Sequence, residues 1–178
     1  MKKLLRHLRH LLLLLLACLP GAGYADTLQA GAPAPAFALP DADGKMRQLA
    51  DWHGQWLVLY FYPRDHTPGC TTEAGKFRDA LPQFAALKAQ VVGVSLDDSA
   101  SHRRFATDLK LNFPLLADTD GKVAQSYGAL LNLGVMKFAK RHTLLIDPDG
   151  RVAKIYRDVD PDTHAQQLLG DLQLLQKP

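Results

Sequence analysis

One stretch of the sequence combines a cysteine with loop-forming residues in an order that could support thiol chemistry. The apolar segment 56–62 is followed by a loop that contains Pro63, Pro68 and Gly69, and Cys70 then opens a segment with helical character. The first turn of a helix has unpaired backbone N–H groups and the positive end of the helix dipole, which both favour a thiolate. Because the thiolate is the reactive form of cysteine, this placement favours a nucleophilic or redox-active sulfur. These residues leave a buried structural cysteine open as the alternative.

The first 25 residues are predicted to be an export signal. They combine a basic start, a run of leucines and a small-residue end, which is the pattern of a secretory signal peptide. Cleavage after Ala25 is the favoured processing and leaves residues 26–178 as one domain. Residues 15–18 also resemble a lipoprotein box, so a lipid anchor on Cys18 is the alternative. Both alternatives predict an exported, periplasmic protein, and the apolar run is shorter than the roughly 20 residues that span a bilayer.

Cysteine usage and charge narrow the classes of function. Without the predicted signal the chain keeps Cys70 as its single cysteine. Exported proteins normally pair their cysteines, so an unpaired one is either inert and buried or kept for chemistry.

The overall charge of +3 arises in the signal, because residues 26–178 carry 17 basic and 18 acidic groups, a net charge of −1. This balance gives no electrostatic reason to expect nucleic acid or an anionic lipid as partner.

The elements predicted around Cys70 alternate between strands and helices. The chain begins with a hairpin around a turn at 41–44 and a buried strand at 56–62, and a helix then runs from Cys70 to Leu81, breaks or restarts at Pro82 and continues to about Lys88. A strand at 91–96, a helix capped by Ser99 and running to Leu109, a strand at 113–117 and a short helix at 123–127 follow. After an ambiguous stretch at 128–138 come a hairpin at 142–156 and an amphipathic helix at 161–176, which has Pro161 in its first turn and its leucines in the core. This order predicts an α/β protein with a thioredoxin-like fold, in which a mixed central β-sheet has helices on both faces and an N-terminal β-hairpin.

The residues around Cys70 resemble those of a known family. Pro63-x-x-x-Thr67-x-x-Cys70 has the spacing of the peroxiredoxin active-site motif, and the longer string 61–74 resembles the bacterioferritin comigratory protein, or peroxiredoxin Q, branch. Segments at 91–97, 113–118, 124–128 and 141–147 resemble the same branch in the same order. The resemblance covers about residues 30–175 and therefore nearly the whole predicted domain.

The resemblance implies a role for each of four residues. Cys70 would be the peroxidatic cysteine, which attacks the O–O bond and becomes a sulfenic acid. Arg141 would supply the nearby cation, Thr67 would offer its hydroxyl to the peroxide and the thiolate, and Pro63 would shield the pocket from water. Backbone N–H groups at Gly69 and Cys70 could stabilise the polarised oxygens. Taken alone, Thr67 would more often form only a turn, and Arg141 would more often pair with a surface acid, but within the whole motif the catalytic roles are favoured.

The sequence departs from the family pattern at the residue five positions after Cys70. Many relatives carry a resolving cysteine there, and this chain has Gly75. The resemblance then implies a one-cysteine mechanism, in which an external thiol such as glutathione, a thioredoxin-like protein or a glutaredoxin reduces the sulfenic acid. A disulfide between two Cys70 residues is less favoured. Because glycine costs about 1 kcal/mol relative to alanine in a helix, we hypothesise easier local unwinding at Gly75. We expect Glu73 to stabilise the positive end of the helix dipole.

The leading prediction is a thiol-dependent peroxidase that reduces hydrogen peroxide and organic hydroperoxides and acts as a monomer or weak dimer. An exported thioredoxin-like thiol–disulfide oxidoreductase would need a second cysteine at Glu73, and a metal-delivery module would need one at Ala74. A non-catalytic peroxide-sensing module stays open as an alternative. No cofactor or metal is predicted, because the three Asp-Gly segments lack the downstream glutamate of calcium loops and the histidines, including His66 in the loop before Cys70, show no paired ligand spacing.

Overall fold

Residues 28–177 are described by a computed structural model, so the predicted signal, its cleavage site at Ala25 and the alternative lipid site at Cys18 lie outside the described residues. The elements are β1 (Ala38–Pro40), β2 (Met46–Gln48), a 3-10 helix (Leu49–Trp52), β3 (Trp56–Phe61), α1 (Pro68–Ala86), β4 (Ala89–Ser95), α2 (Ser99–Leu109), β5 (Leu115–Ala117), α3 (Lys122–Ser126), β6 (Leu130–Asn132), β7 (Lys137–Ala139), β8 (His142–Ile146), β9 (Val152–Arg157) and α4 (His164–Leu175). Within this part of the chain no helix is both long and apolar enough to cross a membrane.

The central sheet has five strands in the order β5-β4-β3-β8-β9. Strand β3 lies in the middle, parallel to β4 and antiparallel to β8, and nearly all of its residues are buried because both faces of the sheet are covered. Helices α1, α2 and α4 contribute buried side chains such as Phe77, Phe105 and Leu168 to one face. The opposite face is covered by α3, the 3-10 helix and the segment around β1. The predicted mixed sheet with helices on both faces and an N-terminal β-hairpin is confirmed.

The helix that carries Cys70 differs from the prediction at both ends. It begins at Pro68, where a proline is well tolerated because its missing N–H would have no partner in the first turn. Cys70 is therefore the third helical residue instead of the first. The predicted break at Pro82 is wrong, because α1 continues through it to Ala86. Pro82 is exposed, and the burial of Ala80 and Phe84 on the other side of the helix offsets the lost hydrogen bond.

Three smaller expectations also need correction. The cap of α2 is Asp98 and not Ser99, because the Asp98 carboxylate accepts a hydrogen bond from the Ser101 N–H at 2.8 Å. Pro161 lies in the turn before α4, and Leu175 at the end of α4 is 42% exposed and does not belong to the core. The ambiguous stretch at 128–138 contains β6 and, with one further residue, the antiparallel partner strand β7.

Candidate active site

The sheet topology brings Cys70 and Arg141 together across 71 positions of sequence. Cys70 lies in the first turn of α1, just beyond the end of β3, and Arg141 lies in the short link between β7 and β8. Because β3 and β8 are antiparallel neighbours with Phe61 opposite His142, the end of β3 and the start of β8 meet at one edge. The Arg141 Nη2 atom is 3.5 Å from Cys70 Sγ, and the cysteine is only 2% exposed. The structure therefore places a cation beside the buried sulfur, as the sequence analysis expects.

Glu73 is a third member of this cluster. It follows Cys70 by three positions, so both side chains share one face of α1. Arg141 Nη1 donates a hydrogen bond to Glu73 Oε2, and the carboxyl group is 1% exposed. Burial raises the pKa of Glu73 to about 7, although the Arg141 guanidinium lowers it. The sequence analysis expects Glu73 to stabilise the positive end of the helix dipole. Because α1 begins at Pro68, Glu73 lies beyond the first turn of the helix, and it is buried and paired with Arg141. The guanidinium is shared between Glu73 and the sulfur.

Gly69 allows the close approach of Arg141 to the helix. A Cβ atom built on Gly69 would lie 3.1 Å from Arg141 Nη2 and 3.7 Å from Pro161. A contact of this length is tighter than nine in ten real Cβ contacts, so with any larger residue the guanidinium would have to shift by a few tenths of an ångström. The backbone N–H groups of Gly69 and Cys70 lie in the first turn of α1 and have no partner within the helix. They are available to a ligand beside the sulfur.

Thr67 and Pro63 lie in the loop that precedes α1. Thr67 is the cap residue of α1, but its hydroxyl makes no capping hydrogen bond and instead donates to the Arg64 carbonyl oxygen at 3.0 Å. The predicted donation of this hydroxyl to the thiolate is therefore not the arrangement in this structure, and the role of Thr67 toward peroxide stays a prediction. Pro63 is half-buried and lines a groove with Val135 of the β6–β7 turn. Its predicted shielding of the pocket also stays a prediction.

The sequence analysis does not identify a buried polar pair that joins this loop to a neighbouring helix. The Asp65 carboxylate lies 2.9 Å from His102 Nδ1 and accepts hydrogen bonds from Tyr62 and Ser101. Asp65 and His102 are 37 positions apart and have no spacing that would associate them, so only the fold reveals the pair. His66 is exposed, as expected of a loop residue, and has a left-handed φ of 58°.

The described residues 28–177 contain no group of three or more His, Cys, Asp or Glu side chains that could hold a metal ion. The three Asp-Gly segments are turns, in which the first aspartate accepts hydrogen bonds from backbone N–H groups. Asp41 accepts from Asp43 and Lys45, and Asp147 accepts from Asp149 and Arg151 in the same way. Asp118 accepts from the N–H groups of Val123 and Ala124 at the start of α3.

Comparison with known proteins places this geometry among thiol peroxidases. The model of the AhpC/TSA family matches residues 30–155. A protein described as putative peroxiredoxin bcp from Coxiella burnetii is 36% identical over 82% of this chain and 99% of its own length. The crystal structure of peroxidoxin BcpB from Mycobacterium tuberculosis has a TM-score of 0.80 at 35% identity and covers 84% of this chain and 99% of that one. A bacterioferritin comigratory protein from Xanthomonas campestris, whose structures address alkyl peroxide reduction, has a TM-score of 0.76 at 33% identity. The match covers 84% of this chain and 100% of that one.

Proposed function

The chain belongs to the AhpC/TSA family, in its branch of Bcp and peroxiredoxin Q proteins, and from this premise we propose a one-cysteine peroxidase cycle centred on Cys70. Family membership makes it a thiol-dependent peroxidase. The observation that carries the proposed cycle is the position of Cys70 Sγ, in the first turn of α1 and 3.5 Å from the Arg141 guanidinium. The helix N-terminus and the cation both stabilise negative charge beside the sulfur.

In the first step the Cys70 thiolate attacks the oxygen of the peroxide that carries hydrogen. The S–O bond forms as the O–O bond breaks, the electron pair of the O–O bond leaves with the distal oxygen, and a proton completes the alcohol or water product. Cys70 ends as a sulfenic acid, oxidised by two electrons, and the peroxide is reduced by two. Arg141 and the first-turn N–H groups of Gly69 and Cys70 stabilise the negative charge that develops on the oxygens. Thr67 orients the peroxide, and Pro63 excludes water from the pocket.

In the second step an external thiol attacks the sulfenic sulfur and releases water. The mixed disulfide that results is cleaved by a second thiol, which regenerates the Cys70 thiolate and leaves the reductant as a disulfide. Glutathione, a thioredoxin-like protein or a glutaredoxin can supply both thiols. This route is needed because Gly75 occupies the position of a same-helix resolving cysteine, and Cys70 is the only cysteine among residues 28–177. We expect the enzyme to act as a monomer or weak dimer.

The comparisons support the peroxidase over the two alternative functions. The position that a Cys-x-x-Cys oxidoreductase would need is occupied by Glu73, which pairs with Arg141. A non-catalytic sensor would not need to reduce peroxide repeatedly. The Xanthomonas relative is described as reducing alkyl peroxides, and this favours a catalytic role. We therefore propose hydrogen peroxide and organic hydroperoxides as substrates.

The cycle is tested by mass spectrometry of the reduced, signal-free protein after addition of peroxide. We expect Cys70 to gain one oxygen, to react with dimedone as a sulfenic acid and to form no disulfide. The Cys70→Ser variant should not react. The matched variant Gly75→Cys restores a thiol at the resolving position and should form an internal disulfide instead of the dimedone adduct. A wild-type protein that gives only disulfide-linked dimers would contradict the one-cysteine cycle.

Export to the periplasm is a separate proposal, supported by the basic, leucine-rich and small-residue pattern of residues 1–25. The full-length chain is expressed in a Gram-negative host, and the N-terminus of the protein in the periplasmic and membrane fractions is determined by mass spectrometry. An N-terminus at Asp26 would support cleavage after Ala25. A lipid-modified N-terminus at Cys18 that disappears in Cys18→Ser would support the anchored alternative. Intact protein confined to the cytoplasm would contradict export.

A further inference from the structure

The loop between β3 and α1 is held in place by a buried polar network. Three side chains hydrogen-bond to the Asp65 carboxylate: the Tyr62 hydroxyl at 2.8 Å, the Ser101 hydroxyl at 2.7 Å and His102 Nδ1 at 2.9 Å. Asp65, Tyr62 and His102 are 6%, 1% and 0% exposed. Ser101 and His102 belong to the first turn of α2, so this network ties the loop to a helix that contributes no residue to the cluster around Cys70.

A second carboxylate holds the backbone of the same loop. The Asp65 N–H donates to Asp97 Oδ2 at 2.9 Å, and the Ser95 hydroxyl donates to the same oxygen at 2.7 Å. The Asp65 N–H and the Arg64 carbonyl belong to one planar peptide unit. That carbonyl accepts the hydrogen bond of the Thr67 hydroxyl at 3.0 Å. One rigid peptide plane therefore connects Asp97 at one end with Thr67 at the other.

The direction of the Thr67 hydrogen bond limits what this hydroxyl can do. A hydroxyl has one proton to donate and two lone pairs that accept. Because the proton of Thr67 is engaged by the Arg64 carbonyl, its oxygen can only accept a hydrogen bond from a peroxide. The O–H of a hydroperoxide is the donor that fits. The orientation of the peptide plane thus decides how Thr67 presents its lone pairs.

We propose that Asp65, His102 and Asp97 are positioning residues of the peroxidase, which fix the Arg64–Asp65 peptide plane and thereby hold the Thr67 oxygen as an acceptor for the O–H of the peroxide. This inference rests on the proposed peroxidase function and adds to it the residues that orient the substrate. None of the three touches the substrate. They act through Thr67, which does.

The electrostatics of the network agree with this role. Burial alone would raise the pKa of Asp65, but His102, Ser101 and Tyr62 together hold the pKa below its usual range, so the carboxylate is ionised at neutral pH. An ionised carboxylate can only accept hydrogen bonds, so His102 Nδ1 must carry a proton and donate it. His102 Nε2 is buried and has no hydrogen-bond partner among the described residues.

Asp65→Asn tests the proposal with little change in shape. The Oδ1 atom of an amide can still accept from Ser101 and His102, but the NH2 group then takes the place of the oxygen that accepts from the Tyr62 hydroxyl, so that hydrogen bond is lost or reversed and the loop is held less firmly. Two second-order rate constants of Cys70 are compared in each variant, one with hydrogen peroxide and one with iodoacetamide, which needs a thiolate but no oriented O–O bond. We expect the peroxide rate constant to fall about tenfold or more while the iodoacetamide rate constant changes less than about twofold. Ser101→Ala removes one of the three hydrogen bonds to Asp65 and should lower the peroxide rate constant by a smaller factor. This milder variant tests the proposal even if the Asp65→Asn protein does not fold.

The matched control is Asp118→Asn, which removes another buried carboxylate, at the start of α3. It should lower the free energy of unfolding without changing the ratio of the two rate constants. In a Thr67→Val background, Asp65→Asn should cause no further loss of the peroxide rate constant, because it acts through the missing hydroxyl. Equal losses in both rate constants, or losses that are additive with Thr67→Val, would overturn the proposal. Failure of the peroxidase function itself would appear differently, as a wild-type protein without a fast peroxide reaction.

Discussion

At the scale of single residues, Arg141 is shared between two groups that each favour a positive charge nearby. One guanidinium nitrogen is 3.5 Å from Cys70 Sγ and the other donates to Glu73. The sequence indicates Arg141 only through family resemblance, because no spacing relates residues 71 positions apart. It assigns Glu73 to the positive end of the helix dipole, and only the packing of α1 shows that this glutamate is buried and paired with Arg141.

Arg141→Lys should lower the rate constant of Cys70 with hydrogen peroxide by about 100-fold or more. A lysine has a single ammonium and cannot bridge Cys70 and Glu73 as the planar guanidinium does. Rapid mixing with peroxide, followed by mass spectrometry, measures the effect. A Lys variant that reacts like the wild type would show that a point charge is sufficient.

Glu73 should make the stability of the fold depend on pH. Its pKa rises from the usual 4.5 to about 7 through burial, so the native state binds more protons than the unfolded state between these values. The free energy of unfolding of the wild type should therefore fall as the pH rises from about 4.5 to about 7. Glu73→Gln removes this titration, and denaturant unfolding at several pH values should show the slope in the wild type and not in the variant. Parallel pH profiles would contradict this account.

At the scale of elements, α1 determines both how Cys70 reacts and how easily it becomes accessible. The sequence places this helix correctly but misses its start by two residues and predicts a false break at Pro82. Local preferences indicate where a helix is disfavoured, and they cannot reveal that burial of Ala80 and Phe84 outweighs the missing hydrogen bond. The cap of α2 is missed for a similar reason, because Asp98 and Ser99 are both good caps and the geometry of the turn selects Asp98.

Gly75→Ala should raise the free energy of unfolding by about 1 kcal/mol, because alanine is the better helix former. A Cβ at this position meets no atom within 4 Å, so packing does not oppose the change. Denaturant unfolding measures the difference, and amide exchange around Cys70 should slow in the variant. If amide exchange in the wild-type turn is already slower than in neighbouring turns, the hypothesis of easier unwinding at Gly75 is wrong.

At the scale of the whole molecule, the sheet supports the site through close packing beneath α1. Tyr60 on β3 packs against Phe77 of α1 with ring centroids 4.6 Å apart, and it is accommodated because Gly93 on the neighbouring strand has no side chain. The sequence predicts both strands, since long apolar runs bounded by loops are reliable features. It cannot predict this contact, which depends on the register that places Tyr60 opposite Gly93.

Gly93→Ala should destabilise the fold by about 1–3 kcal/mol, the usual range for overpacking a core. The added Cβ would lie 2.8 Å from both the Tyr60 ring and Leu115, so at least one of them must move. Thermal or denaturant unfolding measures the loss. Gly170→Ala on α4 is the matched control, because a Cβ there meets nothing within 4 Å and should not destabilise the fold. Equal stability of the Gly93 variant and the wild type would show that the core beneath α1 is loosely packed.

The most direct test of the peroxidase at Cys70 is its rate constant with hydrogen peroxide, measured by rapid mixing of the reduced, signal-free protein beside free cysteine at the same pH. The arrangement of Cys70, Arg141 and the first turn of α1 predicts oxidation many times faster than that of free cysteine, with one oxygen gained on Cys70 and no reaction in Cys70→Ser. A Cys70 that reacts no faster than free cysteine would contradict the account and leave a buried structural thiol.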